Sequence, residues 1–240
     1  FTDDDWGKFY VTQTGSNGPT INWVVQNPWL ADDDTDIEYV YTHLQSGSSQ
    51  PTLTAEQIRT GWITHINRKI WVSNYIARGL MGRGVLPGAT SLPVSNPHGH
   101  KIDAQLTTEI YGTFAPAMPG VALGLGDLPV RTTAHGYAAH AAQYFQLLHT
   151  YVPLLTDSMT PVQKVEWLNQ QARGFIPNTS KTADIIDFVT NDYLQNPDKT
   201  DWERTRDLVY QRYQANATAN GFRYQGLYES SVNFASGVIA

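Results

Sequence analysis

The stretch Trp29-Leu30-Ala31-Asp32-Asp33-Asp34-Thr35-Asp36-Ile37-Glu38 sets three adjacent carboxylates immediately ahead of a helix start. Thr35 and Glu38 have the spacing of a capping box, in which the hydroxyl accepts a free backbone N–H and the acid three residues on returns the bond. Beyond it, Ile37, Val40, Tyr41 and Leu44 fall on one side of a helix, the 3,4 spacing of a buried stripe. Thr35 is therefore expected to cap this helix.

The same signals recur along the chain. Thr54-Ala-Glu-Gln57 opens a segment carrying Ile58, Trp62 and Ile66, Thr160-Pro161-Val-Gln163 adds a proline at the first helical position, and Thr200-Asp-Trp-Glu203 precedes Leu208, Val209 and Tyr213. Val72 to Met81, Asp103 to Phe114, Ala138 to Tyr151 and Thr182 to Leu194 show helical spacing as well. Two-residue alternation is confined to Lys8–Thr14 and Ile21–Val25. The fold class this predicts is all-α, a single multi-helix bundle with a short irregular or β-like N-terminal segment. Arg83 to Lys101, rich in Gly, Pro, Ser and Asn, reads as a loop over the open end of the bundle rather than as a domain linker.

Composition narrows the function classes. The 240 residues are 41% hydrophobic, enough for a substantial core, and the formal charge of −6 with only 16 scattered Lys and Arg argues against nucleic acid as a partner. No run of about 18 apolar residues is present, so no membrane partner is expected. The absence of cysteine excludes disulfides, thiolate metal sites and a cysteine nucleophile. Charged residues make up 16%, below the ~25% usual for soluble proteins, and two Asn-x-Ser/Thr acceptors occur at Asn178 and Asn216. Both features point to a secreted or extracellular protein, with a cytoplasmic one as the alternative.

Three neighbouring acids need more than a capping account. A carboxylate near a helix N-terminus gains roughly 0.3 to 1 kcal/mol, and one or two acids suffice for that. Three repel one another, the more so beside Trp29, Leu30, Ile37 and Tyr39, and a hard divalent cation relieves the repulsion. Spacing alone leaves capping and metal binding level.

The run Asp32-Asp33-Asp34-Thr35 followed by an apolar helix resembles the Thr/Ser-Asp-Asp-Thr motif of the ADP-ribosylglycohydrolase superfamily. Ile102-Asp-Ala-Gln-Leu-Thr-Thr-Glu109-Ile-Tyr-Gly112 through Pro116, Pro119 and Ala122 is similar to that family's helix, Pro-containing turn and Ala-rich helix. Arg131-Thr-Thr-Ala-His135-Gly is a looser counterpart of its Thr-His segment. The order and spacing agree over residues 30 to 150.

The resemblance implies an orthogonal helical bundle, a magnesium centre, usually of two ions, and hydrolysis of the glycosidic bond at C1 of an ADP-ribosyl or related glycosyl substrate. Asp33 and Asp34 match the paired aspartates and would be metal ligands and catalytic residues. Asp32 stands where the family usually has Thr or Ser and would be a third ligand. A carboxylate not tied to the metal, Asp32 or Glu109, is the candidate general base, and Trp29, Asn96, His98 and His135 are candidate substrate contacts.

The family's remaining metal-binding acids lie in a Gly-rich Asp-x-Asp segment after a helix resembling Glu229 to Ala240. Its opening Gly-rich helix would precede Phe1, and near Gln105 and Leu106 the usual arginine is missing. The chain is thus expected to lack part of its domain, which a longer polypeptide or an associated C-terminal chain would supply, or to be a degenerate member without activity; a homo-oligomer is a further expected partner. Two rival readings are a non-catalytic assembly protein on the same fold and a different helical metal-dependent carbohydrate hydrolase. Residues Asp3-Asp4-Asp5 imitate the acidic motif without an amphipathic helix after them and are expected at the surface or a pocket rim.

Overall fold

The computed structural model describes residues 13–15, 18–20, 33–66, 70–226 and 228–240. A small antiparallel hairpin, β1 (Gln13–Gly15) and β2 (Gly18–Thr20), pairs Gln13 with Thr20. Everything else regular among the described residues is helical: α1 (Asp33–Ser46), α2 (Ala55–His65), α3 (Val72–Gly82), α4 (Ile110–Phe114), α5 (Pro119–Thr133), α6 (Tyr137–Tyr151), α7 (Pro161–Arg173), α8 (Lys181–Gln195), α9 (Trp202–Tyr210) and α10 (Ser230–Ile239). The chain is all-α, as its periodicity predicts. The β-like alternation at Lys8–Thr14 touches β1, and Ile21–Val25 lies outside the described residues.

Two of the four capping boxes form as read. The Thr54 and Thr160 hydroxyls accept from Gln57 N and Gln163 N, and each glutamine returns the bond to its cap. The other two do not. At α9, Asp201 rather than Thr200 accepts from Arg204 N, because Thr200 is held by the Asp198 carboxylate. At α1 the helix begins at Asp33, which places Thr35 inside the first turn and ends its role as cap. The expected helix Asp103–Phe114 is broken into a 3₁₀ turn (Asp103–Leu106) and the short α4. Its Thr107 and Thr108 hydroxyls donate back to the carbonyls of Asp103 and Ala104, holding the chain in a tight turn between the two pieces.

The core divides into two large clusters joined by an alanine layer. Ile37, Tyr41, Ile58, Trp62, Met81 and Tyr111 fill the space among α1 to α4, and Leu147, Ile185, Ile186, Val209, Tyr213 and Phe234 fill that among α6 and α8 to α10. Between them, Ala104, Val130, Ala134, Ala138 and Ala142 let α5 and α6 approach closely. The approach is closest at Gln146, which is fully buried and donates to Thr108 O at 3.1 Å. A Cβ on Gly112 would fall 2.1 Å from the backbone Gln146 O, so only glycine fits there, whereas one on Gly126, 2.3 Å from Nε2, would force the Gln146 side chain to move.

Candidate carboxylate site

The acids of α1 meet a second carboxylate from the segment that follows the Gly/Pro-rich loop. Asp33 and Asp34 are half-buried in the first turn of α1. Asp33 Oδ2 accepts from Trp71 N at 3.1 Å, and Asp103 Oδ1 accepts from Asn74 N at 3.2 Å. Trp71 is the residue that opens α3, whose own side chain provides no cap. The two acids therefore satisfy N–H groups at the start of α3 that the helix itself leaves free. Asp33 is a capping carboxylate after all, but for another helix than its own.

Burial and the neighbouring Asp33 charge push the Asp103 carboxyl up to about 6, against the opposing pull of the Ser73 hydroxyl and Asn74 N–H. One turn further along α1, Glu38 acts on Glu109. Burial, reinforced by the Glu38 charge, pushes the Glu109 carboxyl up to about 7, while its Oε2 accepts from Thr108 N at 3.1 Å. Like charges thus line α1 over two turns, and two of the acids titrate well above an isolated carboxyl group. Glu38, expected as half of the Thr35 capping box, belongs to this strip.

Backbone strain accumulates at the same place. Val72 has φ +38° and Tyr228 φ +63°, in the left-handed region that β-branched and bulky side chains rarely enter. The Trp71 and Tyr228 rings lie 6.4 Å apart, and Tyr228 O accepts from Ile102 N, so the strained residues adjoin the segments that carry the Asp33 and Asp103 contacts. Strain of this kind is commonly held where a site is built.

The remaining expected site residues separate. Trp29 and Asp32 lie outside the described residues, as does the Asp3–Asp5 run. Asn96 is completely buried: its Nδ2 donates to Ser73 O and its Oδ1 accepts from His98 N, which makes it the clamp of its loop. His98 is half-buried and close enough to His100 to act on its charge. His135 is exposed, and its backbone N–H donates to Gly99 O at 2.7 Å, tying the Gly/Pro loop to the start of α6. Gly99 is needed there because a Cβ would sit 2.4 Å from Ser91 O. Tyr39 is 73% exposed and takes no part in the core beside the acids.

Sequence reading does not single out Asp103 as a site residue. The available signal is an acid inside Lys101-Ile-Asp-Ala-Gln105, between apolar residues of a segment that reads as one continuous helix. Among the described residues no three His, Asp or Glu side chains are gathered closely enough to form a metal cage by themselves. Asp33 and Asp103 each present one oxygen to the start of α3. These are two hard oxygen donors of like charge, of the kind Mg²⁺ takes, short of a complete ligand set among the described residues.

A second polar group lies beyond Tyr228. Glu229 is fully buried at the start of α10, pairs with Lys181 Nζ at 2.9 Å, and accepts from the Tyr137 and Ser231 hydroxyls. Lys101 bridges to Glu229 through the backbone and donates from Nζ to Gln225 O. His100 Nε2, buried here, has no hydrogen-bond partner among the described residues, and burial together with the Lys101 charge lowers its pKa.

The fold and this acidic strip define a helical protein with a half-buried carboxylate centre. Compared with family models, curated proteins and solved structures, the chain matches none of them. No helix among the described residues is long and apolar enough to cross a membrane.

Proposed function

We propose that the chain is a magnesium-dependent hydrolase of the ADP-ribosylglycohydrolase type, acting on the glycosidic bond of ADP-ribose conjugates or a related glycosyl substrate. The observation that carries this reading is the meeting of Asp33 with Asp103 at the start of α3. Two carboxylates from distant segments converge on one strained corner, and a protein built for stability alone has little reason to place them so.

Asp33 and Asp103 would hold the metal together with ligands from outside the described residues, Asp32 among them. Bound there, magnesium supplies a Lewis acid that favours ionisation of water and polarises the sugar oxygens. Glu109, poised near neutrality, would accept the proton of the attacking water. The water oxygen would join C1 as the C1 bond to the leaving group breaks, the leaving group taking a proton from solvent and Glu109 releasing to solvent the one it accepted, so that one water is consumed. The strip of acids along α1 sets the order of roles: ligands in the first turn, base one turn on.

Calorimetric titration with Mg²⁺ tests the reading together with release of ADP-ribose from ADP-ribosylated peptide. Saturable Mg²⁺ binding and turnover are expected, both lost in an Asp33→Asn/Asp34→Asn variant that keeps its helical circular dichroism. Turnover that survives in the variant, or wild-type protein that neither binds Mg²⁺ nor releases ADP-ribose, would overturn it. A purely capping role for Asp33 predicts that the variant lowers stability and changes no metal affinity.

A further inference from the structure

Residues of α6, the turn before α8 and residues 221–225 line an open surface cavity of about 430 Å³. Its wall contains Lys181, Arg223, His140, Ser180, Thr179 and Tyr137, and no carboxylate. In a chain with more acids than bases, that lining is unusual.

Positive charge prevails around it. Lys181 and Lys101 share Glu229 as their near carboxylate, with Asp103 acting on Lys101 from the other side. Arg223 adds an exposed guanidinium at the mouth. Lys181 is held in place by Glu229 and by the faces of Tyr137 and Phe222, 4.6 and 5.3 Å from its Nζ. It is therefore a fixed charge and not a mobile surface lysine.

The hydrogen-bonding groups are equally preset. His140 Nδ1 lies 2.7 Å from Ser180 Oγ, which also accepts from Thr182 N at 3.2 Å as the cap of α8. These bonds fix the imidazole and turn the start of the 15-residue helix α8 toward the cavity. Burial lowers the His140 pKa, so the ring is neutral at pH 7 in the empty cavity and becomes cationic more readily beside an anion.

The geometry points to a binding site for the phosphate or diphosphate group of a small soluble molecule, held between Arg223, His140 and the hydroxyls of Thr179 and Ser180. Arg supplies a planar fork of donors that matches phosphate oxygens, and Lys181 supplies a fixed background charge. This inference does not rest on the proposed hydrolase reading, since none of the proposed metal ligands lines the cavity.

Calorimetry with inorganic pyrophosphate in EDTA tests it. Saturable binding is expected in the wild-type protein, weakened at least tenfold by Arg223→Gln and unchanged by Arg206→Gln, an exposed arginine outside the cavity. Arg223 is exposed, so this variant keeps the fold, and a thermal melt confirms it. In the Asp33→Asn/Asp34→Asn background the affinity should stay the same, which separates failure here from failure of the hydrolase reading. No saturable binding, or equal binding in Arg223→Gln, overturns the site. So does Arg223-dependent capture by vesicles containing phosphatidylinositol 4-phosphate that soluble pyrophosphate cannot compete away, which would identify a lipid headgroup instead.

Discussion

Glu229 and Asp103 are both buried carboxylates, contributed by segments that pair with each other, yet their surroundings are opposite. Glu229 receives an ammonium and two hydroxyls, so its charge is neutralised and its lone pairs are used. Asp103 is less well matched: Asn74 N–H donates to it and Lys101 acts on it from a distance, but burial and the Asp33 charge outweigh them and raise its carboxyl. The first arrangement favours the folded chain, and the second costs it stability at neutral pH. A fold tolerates the second kind where something other than stability is served, which is why the strip and not the ion pair is the candidate reaction centre.

The largest effect expected from breaking this contrast is at Glu229. Glu229→Ala leaves the Lys181 ammonium buried without its partner and should lower the unfolding free energy by about 3 to 5 kcal/mol. A Lys181→Met/Glu229→Met pair should recover much of that loss. Denaturant titration of the three proteins checks both, and a loss in the double variant as large as in the single one would show that Glu229 does more than neutralise Lys181.

Next come the acids of the strip, where the expected sign is reversed. Asp103 and Glu109 are raised in the folded state above their unfolded values of about 4. The folded protein therefore binds more protons than the unfolded one between those values and the raised ones. The favourable contribution is present below about pH 4 and is lost as pH rises, through about 6 for Asp103 and about 7 for Glu109. An Asp103→Asn/Glu109→Gln variant should flatten this decline and gain about 1 to 3 kcal/mol at pH 8. The side-chain amide that Asp103→Asn introduces still offers an oxygen to Asn74 N, so the cap of α3 is kept. Thermal melts across pH 4 to 8 measure the difference, and an unchanged slope would contradict the contrast with Glu229.

A steric effect of similar size belongs to the seam between the two core clusters. Gly112→Ala must displace Gln146 and the backbone of α6, and should cost about 1 to 3 kcal/mol. Smallest of all, Thr160→Ala removes the cap of α7, away from both carboxylates, and should cost about 1 kcal/mol with no change in pH dependence. Chemical denaturation at two pH values separates this control from the variants above.

What sequence reading recovers here follows from range. Thr54 and Thr160 cap as read because each box closes within four residues. Thr35 fails although its box has the same spacing, because Asp33 and Asp34 already begin the helix and Glu38 lies within reach of Glu109. The helix read across Asp103–Phe114 has suitable periodicity, but Thr107 and Thr108 bond back to their own backbone and Gly112 is pressed on Gln146 O. The pairings that create the candidate site, Asp33 with Trp71 N and Asp103 with Asp33, and the separate ion pair of Glu229 with Lys181, join residues far apart in the chain and leave no local pattern. Asp33 and Asp34 can be singled out from their neighbours, while Asp103 can be recognised only once α3 has a start to be capped.

That shared cap also gives the protein a built-in gauge. The amides of Trp71 and Asn74 are tied to the two carboxylates that the proposed cation would engage, so their hydrogen exchange would follow its occupancy. The Trp71 indole, lying against Tyr228, would add a fluorescence signal at the same corner. Uptake of the proposed ion could then be followed without substrate and without a label, from the behaviour of one helix terminus.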